Sequence, residues 1–519
     1  MILALPRTSR RAAAALALVL IPLAGCGGDE GAGAGSGASL ARLAPASSPF
    51  YVEAAIRPEG DRKAELDGLI AKFTPGQDAE KLLARLFKSS SDKVDYARDV
   101  KPWLGERAAI AVTGLPARGG SYPDVAAIVE TKDADKALAA VRKGAKGKLE
   151  DRSYGGVKYS FDAADKSATA IIDGELVGAT EPAFKAVVDT SKGDGLDKNA
   201  EYAKVVGAVD KDALGFAFGD VRRALELAKG SPGVDAKQLE GARELLDRQG
   251  LKTFGAALTA TDTSVKLRFA SAIKDDGQGE AAAKTLAELP AGSWAALGLG
   301  DLGKSLSDAL DSISSLSGAG FDVQSGLDQL KAQAGIDVQK DLLSWMGQSG
   351  LFVRGSSLTD IGGALVVQSK DPAATKAALS KARTVLAGGG LQAQDLTGKG
   401  IDDGFSVRPA NTPVELFAAL AGDRFVLAVS RPALDEAIDP AKKLADDDGY
   451  KAAAGQLGDG LKPTFFLDFP KISGLIGLGA GAQPGYAKAK PYLDKIKTIV
   501  AGSKREGDLQ LQTTAIGIR

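Results

Sequence analysis

Asp99-Val100-Lys101-Pro102-Trp103-Leu104-Gly105 decides how the rest of the chain is read, because a second tryptophan segment repeats its setting. Trp103-Leu104-Gly105 stands ahead of the apolar run Ala108 to Val112, and Trp345-Met346-Gly347 stands ahead of Leu351 to Val353, an offset of 242. Working outward, Ala127-Ile128-Val129 before Lys132-Asp133 matches Leu365-Val366-Val367 before Lys370-Asp371. Asp173 to Thr180 followed by Pro182 matches Asp423 to Ser430 followed by Pro432. Tyr202, Gly207 and Asp220 match Tyr450, Gly455 and Asp468 at an offset of 248. Offsets that drift this slowly are what duplication followed by small loop changes leaves behind. The period is far above that of solenoid repeats, so the expectation is two homologous domains, residues 40–275 and 285–519.

Each copy mixes both hydrophobic periodicities. Helix-like segments are Ala64 to Phe73, Ala79 to Phe87, Asp133 to Lys143 and Pro182 to Asp189 in the first copy. In the second they are Ser305 to Leu316, Ala373 to Leu386 and Pro432 to Ile438. Strand-like segments come in adjacent pairs. Ala168 to Ile172 and Leu176 to Ala179 flank Asp173-Gly174, which favours the left-handed backbone of a tight hairpin, and Leu258 to Thr261 and Val265 to Ala270 flank Asp262-Thr263. Hairpins imply antiparallel pairing, and helices gathered between them imply one covered face. The expected class is α+β, each domain a mainly antiparallel sheet built from hairpins with helices packed on one face.

The N-terminus carries an address. Arg7, Arg10 and Arg11 form a basic region, Ala12 to Leu20 an apolar core, and Leu23-Ala24-Gly25-Cys26 places the chain's single cysteine after the small pair that suits a signal peptidase. The apolar stretch is far short of the roughly 20 residues that span a bilayer. Leu23 to Cys26 resembles the lipobox of bacterial lipoproteins. That resemblance implies cleavage between Gly25 and Cys26, removal of residues 1–25 and a diacylglycerol on the Cys26 thiol. Ser9-Arg10-Arg11 also fits the core of a twin-arginine signal, so both export routes stand. Gly27 to Ser39 holds only Gly, Ala, Ser and one acidic pair and reads as a flexible tether spanning roughly 20 Å.

Charge and residue content exclude much. Without residues 1–25 the chain keeps 62 basic and 66 acidic side chains, and no basic face offers itself to nucleic acid. Membrane attachment then falls to the lipid, whose two or more chains hold where one does not. The histidine count is zero, and an acylated Cys26 leaves no free thiol, so His triads, Cys nucleophiles, disulfides and Cys/His zinc sites are all excluded.

The mature chain also resembles a bacterial domain-of-unknown-function family of secreted and lipid-anchored proteins, family thirty-three fifty-two. The resemblance rests on Leu43-Ala44-Pro45 before Phe50-Tyr51-Val52, on Asp99 to Gly105, and on the hairpin Asp173 to Thr180. It implies a place in the cell envelope and brings no catalytic residues.

Other motifs have plain structural readings. Gly298-Leu299-Gly300-Asp301-Leu302-Gly303 fits a dinucleotide-binding pattern between a strand-like and a helix-like run, yet its counterpart in the first copy lacks the glycines. Ser90 to Lys93 and Ser271 to Lys274 each contain Ser-x-x-Lys without the partner elements of penicillin-interacting enzymes. Asp446-Asp447-Asp448 and Asp402-Asp403 could offer oxygens to a cation but lack the alternating acid spacing of a calcium loop. Trp103 and Trp345, at equivalent positions, read as core before they read as a ligand groove. No metal and no cofactor is expected. The expected function is a lipid-anchored protein on the extracytoplasmic face of the cell membrane with a non-enzymatic binding or scaffolding role, in one version carrying apolar, lipid-like ligands. Its partners would be the membrane through the anchor, and an apolar ligand or an envelope protein. The alternative is an envelope hydrolase that uses an Asp/Glu pair on glycan or peptidoglycan.

Overall fold

Asp173 and Gly174 both take positive φ, 48° and 87°, which gives the two-residue turn the twist of its flanking strands. The hairpin it closes joins Ser167–Ile172 to Glu175–Thr180 in the register Ile172 opposite Glu175. Such hairpins build the whole architecture. The computed structural model describes residues 39–519 except 91–92, 115–122, 210–212, 230–235, 274–276, 316–322, 358–359, 410–411, 413, 459 and 481–483. The signal segment with Gly25 and Cys26, and most of the tether, lie outside the described residues. The protein is α+β, and the strand pairings that build its sheets are antiparallel.

The described residues form two compact units, those up to 273 with 505–511, and those of 277–504 with 512–519. The second therefore begins ahead of the expected residue 285. Helix Gln278–Glu288, which lies largely in the expected linker, buries Ala282, Ala283 and Leu286.

In the first unit the strands are β1 (Phe50–Ala55), β2 (Leu104–Gly114), β3 (Asp124–Thr131), β4 (Leu149–Tyr154), β5 (Val157–Asp162), β6 (Ser167–Ile172), β7 (Glu175–Thr180), β8 (Gly215–Asp220), β9 (Thr253–Ala260) and β10 (Ser264–Ala272). Their order across the sheet is β4-β5-β6-β7-β3-β2-β1-β8-β9-β10. The second unit contributes β11 (Ala295–Asp301), β12 (Met346–Arg354), β13 (Gly362–Ser369), β14 (Ala393–Asp395), β15 (Asp403–Val407), β16 (Leu416–Ala421), β17 (Arg424–Ala428), β18 (Lys462–Asp468) and all but residues 505–511 of β19 (Ile496–Glu506) and β20 (Leu509–Ile518). Their order, β14-β15-β16-β17-β13-β12-β11-β18-β19-β20, repeats that of the first unit strand for strand. Smaller devices recur as well. An isolated bridge joins Pro45 to Gly195 in one unit and Pro290 to Lys443 in the other.

The expectation of helices on one face is corrected. Successive strand residues point to opposite faces, and here both faces are apolar enough to need cover. In the first unit, Tyr51, Ala109, Ala111, Ile128 and Val177 face helices Glu181–Thr190 and Ala200–Ala208, which bury Phe184, Val187, Val205 and Val206. The opposite face presents Ala54, Ala108, Ile110 and Leu176 to Leu83 of helix Ala79–Ser90, to Ala137 and Ala140 of helix Ala134–Gly144, and to Trp103. In the second unit, Ala296, Phe352, Val366 and Val426 lie under helices Gln278–Glu288 and Arg431–Ile438. Across that sheet, helix Pro372–Gly388 sets Leu379 with Phe405, Ala418 and Leu420, and Ala378 with Val367 and Trp345.

Candidate functional site

Both tryptophans are held in place by a short π-helical turn. Tyr96–Val100 starts after Asp95, whose side chain accepts from Arg98 N, and Val338–Leu343 starts after Asp337, whose side chain accepts from Lys340 N. Trp103 Nε1 donates to Asp99 O at 2.8 Å, and Trp345 Nε1 donates to Asp341 O at 3.1 Å. The acid inside each turn ties it to the next helix, Asp99 to Lys143 at 2.5 Å and Asp341 to Lys381 at 2.6 Å. Hydrogen bonds from Arg98 and Lys143 hold the Asp99 carboxyl well below the usual range, and Lys381 with Asp337 N lowers Asp341. π turns often mark functional sites. Here their polar groups are spent on each other and the indoles are buried, 6% and 3% exposed, so the pair is structural.

The glycines of 298–303 serve packing as well. A Cβ at Gly298 would collide with Ala282 O, one at Gly300 with the Gln278 side chain, and one at Gly303 with Leu343 O. The chain's own helix and π turn fill the space a pyrophosphate would need. Strand β11 is also antiparallel to both its neighbours, which rules out a parallel βαβ unit at this site.

The remaining sequence candidates are engaged locally. Lys93 Nζ donates to Ala145 O at 2.9 Å, while Ser91, Asp92 and Lys274 lie outside the described residues. Asp402 accepts from Gly422 N at 2.6 Å, Asp403 pairs with Arg383 at 2.7 Å, and Asp447 caps the helix Asp448–Ala454 through Tyr450 N. Among the described residues no group of three or more acids, His or Cys is placed to hold a metal ion.

A buried charge that sequence reading missed lies in β1. Glu53 is 0% exposed. Its Oε2 accepts from Tyr51 OH at 2.5 Å and from Ser39 Oγ at 3.0 Å, and its Oε1 lies 2.9 Å from Arg107 Nη1 as an ion pair without the alignment of a hydrogen bond. Burial, reinforced by the Glu53 charge, pushes the Tyr51 hydroxyl well above its usual range. The cluster is sealed, with Tyr202 edge-on to Tyr51 at 6.0 Å.

The accessible chemistry is apolar and lies on the second face of the second unit. Leu427, Leu365, Leu351, Leu297 and Phe465 stand directly opposite one another across β17, β13, β12, β11 and β18. One end of this row passes beneath helix Pro372–Gly388, at Ala418 opposite Leu427. The middle is incompletely covered. Leu351 is 41% and Leu427 40% exposed, and Val429, the next residue but one from Leu427, is 47% exposed. The row spans about 19 Å at the usual inter-strand spacing and contains no polar side chain. In the first unit the matching face has an apolar depression of about 60 Å³, lined by Val52, Ala54, Ala217, Leu258 and Leu267, of which Leu267 is 40% exposed. The cross-strand register, which lines up leucines from four separate stretches of sequence, is invisible in the sequence itself.

Among the described residues no helix is long and apolar enough to cross a membrane. No curated protein matches the chain. Among solved structures, crystal form III of TP0453 is similar at 8% identity over 47% of this chain and 82% of its own, and crystal form IV at 9% over 46% and 81%. Both have a TM-score of 0.26, too low to carry an argument. Residues 13–403 match the family described as "Protein of unknown function (DUF3352)", and the chain belongs to that family.

Proposed function

We propose that this chain is a lipid-anchored protein of the extracytoplasmic membrane face, that it binds apolar, lipid-like ligands without catalysing a reaction, and that its two units are homologous copies of which the second carries the site. The observation that carries the reading is the row Leu427-Leu365-Leu351-Leu297-Phe465. Water over this row is unfavourably placed, and an aliphatic chain laid across it would remove apolar area from water at about 25 cal/mol per Å². The residues able to do chemistry support the non-enzymatic reading, since the acids nearest to catalytic candidacy are engaged in caps and ion pairs. The identical strand orders and the paired π turns support duplication. The lipobox-like Leu23 to Cys26 supports the anchor.

The test is titration of the full chain with a fluorescent long-chain fatty acid. The double substitution Leu351→Asp, Leu427→Asp should weaken binding tenfold or more while leaving far-ultraviolet circular dichroism unchanged. Unchanged affinity in the variant would overturn the site. Separately, Cys26→Ala should abolish lipid attachment. A Cys26→Ala protein that is exported, stays with membranes and resists high salt would refute the single anchor.

A further inference from the structure

Between Phe469 and Lys497 the chain holds five lysines and one aspartate, although its formal charge overall is −1. The segment folds as helices Phe469–Ala480 and Pro484–Leu493 and runs into β19. Tyr486 OH donates to Ser473 O at 3.0 Å and so ties the two helices together. Lys490 spends its charge on Asp494 at 2.5 Å, and Lys471 lies 3.4 Å from Asp468. Among the described residues Lys488, Lys495 and Lys497 have no acidic partner. The same hairpin exposes Ile476 at 38% and Tyr492 at 48%. The hairpin at the matching place in the first unit, Val221–Ala228 and Ala236–Gln249, closes its charges on itself, Arg222 to Asp247 at 3.4 Å and Arg243 to Glu226 at 3.9 Å.

We propose that helices Phe469–Ala480 and Pro484–Leu493, with Lys495 and Lys497, dock onto an anionic lipid surface. Lysines without an acidic partner, in one stretch of chain with an exposed isoleucine and tyrosine, match the two layers of such a surface. Phosphates attract the ammonium groups, and the headgroup boundary accepts the amphipathic tyrosine and the aliphatic side chain. A neutral apolar partner would gain nothing from the lysines, and a nucleic acid nothing from Ile476. The contact uses none of the leucine-row residues and does not depend on the acyl anchor.

The full chain carrying Cys26→Ala, and so lacking acyl groups, is sedimented with vesicles of phosphatidylglycerol and phosphatidylcholine or of phosphatidylcholine alone. Binding is expected to the anionic vesicles and to be released by high salt. The triple variant Lys488→Gln, Lys495→Gln, Lys497→Gln should bind them about 100-fold more weakly, and Ile476→Asp about tenfold more weakly. Both variants should keep the parent's unfolding midpoint and its fatty-acid affinity, which separates this surface from the ligand site. Equal binding by parent and triple variant, equal binding to neutral vesicles, or tighter binding to duplex DNA than to anionic vesicles would each overturn the proposal.

Discussion

Strands β1 and β11 hold the same place in their sheets and solve opposite packing problems. Over β11, helix Gln278–Glu288 comes so close that Gly298 has no room for a Cβ. Over β1 lie the short turn Leu40–Arg42 and Tyr202 of helix Ala200–Ala208, and the space near the strand is filled by side chains, Tyr51, Glu53 and, from β2, Arg107. One unit therefore closes this face backbone to strand and the other closes it with a polar cluster. On the opposite faces the contrast reverses. The first unit covers Ala108 and Ile110, whereas the second leaves Leu351 and Leu427 partly open. The same strand order thus sets the scaffold, and single side chains decide which part of a face is sealed and which is left partly open.

The largest expected effect breaks the first half of this comparison. Glu53→Ala takes one of two acidic partners from Arg107, which keeps Glu130 at 3.9 Å, and removes the acceptor of Tyr51 OH, and should cost about 3 kcal/mol in denaturant unfolding of the first unit. A loss under about 1 kcal/mol would mean that the cluster is not what closes that face. Gly298→Ala should cost the second unit about 2 kcal/mol, because the added methyl must push helix Gln278–Glu288 off β11. If its unfolding midpoint does not move, the close approach is not tight and the contrast with β1 fails.

Smaller effects sharpen the comparison. Leu351→Asp alone should cost about 1 kcal/mol, since the side chain is only partly buried between its strand neighbours, while weakening fatty-acid binding. The matching substitution Ile110→Asp, at a buried site, should unfold the first unit, and that difference is read in parallel urea titrations. Acid titration tests what the two units share. Asp99 and Asp341 both titrate below the ordinary carboxylate range. The stabilisation of a depressed carboxylate is present above its unfolded value, about 4, and lost as pH falls through the folded one. Unfolding midpoints should therefore fall from about pH 4 downward, and Asp99→Asn or Asp341→Asn should flatten that acid limb in its own unit. A limb unchanged by either substitution would show that the π turns contribute nothing to it.

Much of the scaffold was legible before any coordinates. Local chemistry writes the hairpin at Asp173-Gly174, the helix starts at Asp133 and Asp371, and the apolar runs of β2 and β13, because turn, cap and periodicity signals lie within a few residues of one another. The π turns escaped notice because Asp95-Tyr96-Ala97-Arg98-Asp99 carries an ordinary helix-start pattern, and only the wider hydrogen-bond ring distinguishes it. The expectation of one covered face failed because hairpins announce pairing but not what lies above the sheet. Alternation in strands such as Ala108-Ala109-Ile110-Ala111 is blurred by small apolar residues on both sides.

The candidate site shows the division most clearly. The sequence by itself determined the class of the fold, the repeated tryptophan segments, and the absence of histidine, which closes off whole families of chemistry. Tertiary structure alone decided that Leu297, Leu351, Leu365 and Leu427, spread over 131 positions, share one row, and that Glu53 is sealed while Lys488 is bare. The physical reason is that strand register and burial are set by pairing between distant segments. A leucine's neighbours along the chain lie on the other face of the sheet, and its partners are recorded only in the fold.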